Sequence, residues 1–297
     1  MWVIKNKKIF IVLSSLFVLS AIFLIFIDGL RFGIDFKGGS MTEISYVTQR
    51  PEMSEIRQSI DSLSFGESLV QPTEDLGVFV KTRDLSEEER IKLLNSLTLN
   101  GEYEIIEKSF TSVGPSVGNE LKKKAILALI VVLIAIILFI AYVFRGVSKP
   151  VSSWKYGIIA IITLLHDVII TTGAFAVIGK ITGAEVDTLF VVALLTILGL
   201  SVNDTIVVFD RVRENLRNKF STDFKEVVGK SLEQTYVRSV NTSLSTIIVL
   251  LALFFLGPES TKIFSITMAI GMFFGTYSSI FLASPLLIVA KENQKNI

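Results

Sequence analysis

The sequence predicts a polytopic α-helical membrane protein: six transmembrane helices, with an α+β, ferredoxin-like periplasmic insert between the first and second. Three observations predict it. Of 297 residues, 51% are apolar and only 19% charged, a balance that favours a membrane protein over a soluble domain. Six apolar runs recur, most of them near the ~20 residues needed to cross a bilayer. One long interval, residues 29–124, breaks that rhythm and alternates strand and helix signals. A net charge of +1 argues against a nucleic-acid partner. The absence of cysteine excludes disulfides, thiolate metal sites and cysteine nucleophiles, and one histidine is too few for a protein-made zinc site. No metal, cofactor or enzymatic reaction is therefore expected.

In chain order, Lys5, Lys7 and Lys8 precede a mostly apolar run over residues 9–27. The run is longer than a signal-peptide core and ends on Asp28-Gly29-Leu30-Arg31 instead of a small-residue cleavage site. Residues 1–28 thus read as a cytoplasmic N-terminus and an uncleaved first span. The insert follows, with a strand over 41–47, a helix over 54–63 and strands over 68–71 and 77–82. Ser86-Glu87-Glu88-Glu89 is a capping box opening a helix that runs to Leu97, and a last strand covers 103–110. This β-α-β-β-α-β order is that of a split βαβ unit.

The remaining spans are expected at about 125–144, 154–178, 186–209, 238–256 and 263–290, with a basic cytoplasmic loop over 210–237 and a tail over 291–297. Segments assigned to the cytoplasm hold fifteen Lys and Arg, whereas the two short opposite loops hold one each, Lys180 and Lys262. The positive-inside rule then puts both termini in the cytoplasm and residues 29–124 outside it. Lys122, Lys123 and Lys124 fall on the other side, but they end a long translocated domain, where the rule is weak.

Polar residues inside the spans carry the functional argument. Asp204 lies in an otherwise apolar stretch, and a charged Asp near midspan costs about 2.5–3.5 kcal/mol on insertion scales. It must therefore face a bundle interior, a wet cavity or a partner. Asp210, Arg211 and Arg213 end the run, leaving Asp204 about a turn and a half inside the membrane. On the third span Thr163, Asp167 and Thr171 are four apart and form one stripe. His166 lies about 100° from Asp167 around the helix, so the adjacent pair is not expected to be a ready-made dyad. On the fourth span Ser201, Asp204 and Thr205 share a face; on the fifth, Asn241, Thr242, Ser245 and Thr246 form a polar patch. The sixth carries Thr267, Gly271, Gly275, Ser279 and Ala283 at four-residue spacing, a small-residue ridge for close helix packing. The second span, nearly all Ile, Leu, Val and Ala, reads as lipid-facing.

Two readings of the acids stand side by side: carboxyls that hold helices together, or carriers of a proton or ion. His166 likewise reads as a packing group or a relay. The segment 211–238, with Phe220, Phe224, Val227, Val228 and Leu232 at helical spacing, reads as an interfacial amphipathic helix held by anionic lipid. No internal repeat is visible, and six helices are few for an alternating-access transporter built from two repeats, which points to a partner half.

Several strings carry a resemblance. Arg31-Phe32-Gly33-Ile34-Asp35-Phe36-Lys37-Gly38-Gly39-Ser40 resembles the glycine-pair signature of the SecD/SecF translocase-subunit family, and Val113-Gly114-Pro115-Ser116-Val117-Gly118 resembles its turn before the second span. Leu164-Leu165-His166-Asp167-Val168, the stretch from Ser201-Val202-Asn203-Asp204-Thr205 to Arg213-Glu214-Asn215, and Ser239-Val240-Asn241-Thr242-Ser243 are similar to the SecF branch. The resemblance covers essentially the whole chain. It implies a bacterial inner membrane location and a membrane architecture like one half of the resistance-nodulation-division transporters. It implies SecD, the SecYEG channel, a translocating preprotein, YajC and membrane lipids as partners, and use of the proton-motive force in late steps of export. It further implies Asp204, Asp167 and His166 as proton-pathway candidates, with Asn203, Thr205, Asn241 and Thr163 as polar support. Gly33, Asp35, Gly38 and Gly39 would form a hinge to a moving insert, using glycine's freedom at positive φ. Other classes remain: half of a small-molecule or lipid exporter, a passive scaffold, or an intramembrane hydrolase with Asp167 and Asp204 as its aspartyl pair.

Overall fold

The structure, a computed structural model, describes residues 2–66, 68–73, 76–144 and 151–292. The chain divides into two compact units, Met1–Arg31 with Leu127–Ile297, and Phe32–Ile126. A short helix α1 (Trp2–Lys5) leads into the first span, α2 (Lys7–Asp28). The second unit then runs α3 (Ile34–Lys37), β1 (Gly39–Tyr46), α4 (Met53–Asp61), β2 (Leu69–Pro72), β3 (Gly77–Thr82), α5 (Glu87–Leu97) and β4 (Ile105–Val113). All strand pairings are antiparallel, in the order β2-β3-β1-β4, the split βαβ arrangement. Alternation along β1 and β3 turns Ile44, Val78 and Val80 to one face, where they meet Ile56 and Ile60 of α4 and Leu93 and Leu97 of α5, all fully buried. The Tyr46 hydroxyl donates to the Leu97 carbonyl at 2.9 Å, and burial pushes its phenol up to about 12. At the start of α5 the capping box forms: Ser86 Oγ accepts from the Glu89 N–H, and the Glu89 carboxylate accepts from the Ser86 N–H. The final strand continues three residues past its expected end because it pairs with β1 as far as Gly39.

The later spans are α6 (Pro115–Val143), α7 (Ser153–Thr182), α8 (Thr188–Arg217), α9 (Phe224–Leu256) and α10 (Glu259–Ser278), which passes through a π-helical turn (Ser279–Ala283) into α11 (Ser284–Glu292). Six helical stretches are long and apolar enough to cross a membrane among the described residues. Helix α6 itself starts ten residues before the expected span, at Pro115, where a missing N–H costs nothing, and its apolar run follows the charged first turns. Two expectations need correction. Residues 210–237 are not a loop: α8 continues to Arg217 and α9 begins at Phe224, where Asp223 caps it by accepting the Lys225 N–H. Nor is that segment a lipid-facing amphipathic helix. Phe224, Val227, Val228 and Leu232 pack with Phe209, Val212, Leu287 and Ile288 in a protein core, leaving Phe220 exposed. Periodicity reports an apolar face but not what covers it. The expected loop and tail residues 145–150 and 293–297 lie outside the described residues.

The small-residue ridge of the sixth span does bring helices close. A Cβ at Gly275 would lie 3.1 Å from the Ser201 Cβ, and one at Gly271 would overlap Ile197, so α10 lies directly against α8. Along α6, by contrast, the membrane stretch is almost bare, with Ile140 its fully buried residue near the end.

Candidate functional site

The stripe predicted on α7 turns inward, and Thr163, Asp167 and Thr171 are all buried. Asp167 has no exposed surface. Its Oδ2 accepts from Ser201 Oγ on α8 at 2.5 Å and from Ser278 Oγ on α10 at 2.9 Å, and Oδ1 lies 2.8 Å from His166 Nδ1. The expectation that His166 and Asp167 would not pair is thus overturned. Their Cα–Cβ directions diverge, but carboxyl and imidazole reach far enough to fold together in the gap between helices. The contact through Nδ1 leaves the other ring nitrogen, Nε2, to find a partner of its own. That Nε2 is buried and unpartnered among the described residues. The imidazole stacks on Tyr277 with centroids 6.2 Å apart, and the Tyr277 hydroxyl accepts from Ser14 Oγ of α2 at 3.3 Å.

Asp204 occupies a second nest. Its Oδ2 accepts from Ser243 Oγ of α9 at 3.4 Å and from Thr276 Oγ1 of α10 at 3.2 Å, and these two hydroxyls bond each other. Arg238, on the same helix as Ser243, acts on Asp204 electrostatically. Thr276 and Ser278 are two residues apart, about 200° around α10. The helix therefore presents one hydroxyl to each acid from opposite sides. Its neighbour α8 serves both nests, giving Ser201 to the first and Asp204 to the second. Among the described residues no hydrogen bond joins the two carboxyls.

The expected supporting residues sit elsewhere. Thr163 Oγ1 donates to the Ala160 carbonyl at 2.8 Å, and Thr205 Oγ1 bonds Ser279 Oγ of the π-helical turn at 2.9 Å. Among the described residues neither hydrogen-bonds an acid. Asn203 and Asn241 are exposed, on the outer faces of α8 and α9, and among the described residues do not bond the acids either. With Thr196 and Gly199, Asn203 continues an exposed stripe along α8; Thr242 and Ser245 accompany Asn241 on α9. Sequence reasoning missed Ser278, Thr276, Ser243 and Arg238. The signal for Ser278 and Thr276 was their position beside the glycine ridge, which read as packing alone.

In the second unit, Gly38 and Gly39 have φ of +81° and +143°. A Cβ on Gly38 would lie 2.8 Å from Pro115 Cα, and one on Gly118 2.9 Å from the Gly38 nitrogen. The glycine-pair string and the turn before α6 thus pack as one structure. Gly33 departs from expectation: with φ of −74° it precedes α3 in an extended conformation and uses no left-handed freedom. Asp35 lies in the single turn of α3.

Residues 94–293 match the family described as "Protein export membrane protein SecD/SecF, C-terminal", and residues 23–49 match the SecD/SecF GG motif. The chain is 42% identical to Protein translocase subunit SecF of Thermobaculum terrenum, over 98% of this chain and 94% of that one. It is 37% identical to the Synechocystis sp. subunit of the same name, over 93% and 89%. Among solved structures it is similar to SecDF from Thermus thermophilus, a translocon-associated membrane protein, with a TM-score of 0.83 at 31% identity. That match covers 99% of this chain but only 38% of the SecDF chain. The chain belongs to the SecF family of protein translocase subunits, as a multi-pass membrane protein.

Proposed function

We propose that this chain pairs with a SecD subunit in the bacterial inner membrane and couples the proton-motive force to late steps of polypeptide export through SecYEG. In this reading both termini are cytoplasmic, residues 29–124 lie outside the cytoplasm, and YajC and membrane lipids are further partners. The observation that carries it is the hydroxyl-lined nest of Asp204, placed on α8 beside the uncovered stripe of Thr196, Gly199 and Asn203. Polar groups on the outer face of a spanning helix are costly in lipid, so a second membrane subunit is their natural cover. The likeness to SecDF, a single chain more than twice as long, supports SecD as that subunit.

Moving one charge through 100 mV releases about 2.3 kcal/mol, enough to bias two conformations roughly fiftyfold. Asp204 suits such a step, since only Oδ2 is engaged by hydrogen bonds among the described residues. Asp167 is held on both oxygens, which favours a structural part for it beside, or in place of, a proton-carrying one. The deciding experiment is proton-driven release of a translocating protein from sealed inverted vesicles with co-assembled SecD. Asp204→Asn is expected to abolish the proton-dependent step at normal complex levels. Unchanged release would leave the chain as a scaffold.

A further inference from the structure

Where α1 and the start of α2 meet the first turns of α9, an open crevice of about 620 Å³ is lined by Lys5, Lys7, Lys225 and Lys230 with Glu226 and Glu233. Its charges are unevenly committed. Lys7 and Lys225 both pair with Glu292, at 2.5 and 3.1 Å, and Glu226 accepts from Ser221 Oγ at 2.6 Å. Lys230 holds Glu233 only at 3.5 Å, and Lys5 is exposed and has no ion-pair partner among the described residues.

The depth of the crevice follows from helix length. The 33 residues of α9 exceed the ~20 that cross the hydrocarbon, so its charged first turns lie outside the apolar layer. Lys5 sits just before the first span, beside an exposed Trp2 whose ring meets Phe10, as expected of an interfacial aromatic. Phe220, exposed, adds an apolar wall.

We propose that this crevice binds the phosphodiester of an anionic phospholipid. Lys5 and Lys230 take the phosphate oxygens, and Phe220 lies against the glycerol and the first acyl methylenes. The lipid seats in a defined cleft between α1 and α9, not along the apolar face of α9, which the protein itself covers.

The test is native mass spectrometry of the full chain released from nanodiscs of phosphatidylglycerol or phosphatidylcholine, with sn-glycerol 3-phosphate as a soluble competitor. Wild type is expected to retain phosphatidylglycerol in preference to phosphatidylcholine. Lys5→Gln with Lys230→Gln should weaken that retention about fivefold per lysine, roughly 25-fold together, at unchanged melting temperature. The pair Lys5→Arg and Lys230→Arg should keep it. Equal retention of both lipids by wild type, or undiminished phosphatidylglycerol binding in the Gln pair, would overturn the proposal. Glycerol phosphate binding as tightly as the lipid would also overturn it, in favour of a free-phosphate site.

Discussion

Asp167 and Asp204 share a residue type and a membrane setting, yet their carboxyls are satisfied differently, and substitution should separate them. Asp167→Val leaves Ser201, Ser278 and His166 facing an apolar group, and an unpaired buried polar group costs about 1–3 kcal/mol. Ser278→Ala removes one interhelical hydrogen bond and should cost only about 0.6 kcal/mol. Equilibrium unfolding in detergent, followed by tryptophan fluorescence, would rank the two; equal losses would contradict the nest. Outside the membrane, the Arg83 guanidinium, aided by the Ser86 N–H, holds the partly exposed Glu89 carboxyl down to about 2. A depressed folded pKa means its favourable contribution is complete above the ordinary glutamate range near 4.3 and is lost as pH falls through about 2. Carbon-13 NMR of Glu89 should show this titration, and Arg83→Gln should return it toward 4.

At the scale of elements, two close approaches depend on glycine. Gly38→Ala combines a φ of +81° with a Cβ pressed against the Pro115 backbone, so a loss of at least 1–2 kcal/mol, about the left-handed penalty alone, is expected in the melting of the second unit. Gly33→Ala carries no such left-handed penalty, so its loss in the same measurement should be the smaller of the two. Gly271→Leu would push α10 off Ile197 of α8 and strain both acid nests together. Lower yield of folded protein and faster proteolysis are the expected readouts. These glycines were legible as a string and a ridge; that Gly38 meets Pro115, about 75 positions along the chain, was not.

For the whole molecule, the uncovered stripe on α8 gives the most direct test of SecD pairing. The chain has no cysteine, so Asn203→Cys introduces a single thiol. It is expected to cross-link to a SecD bearing cysteines on its membrane helices, whereas Leu19→Cys on the exposed face of α2 should not. The reverse pattern would move the interface. From the sequence alone came the membrane class, the number of spans, the β-α-β-β-α-β order and the acids themselves. Each is written in local hydropathy and periodicity, which act over one or two turns of chain. Tertiary structure alone decided that His166 pairs with Asp167, that Ser278 and Thr276 divide the acids between opposite sides of α10, and that the apolar face of α9 is covered by protein. Helical spacing assigns a side chain to a face, but its partner comes from whichever helix packs there, and that choice is made by contacts far apart in sequence.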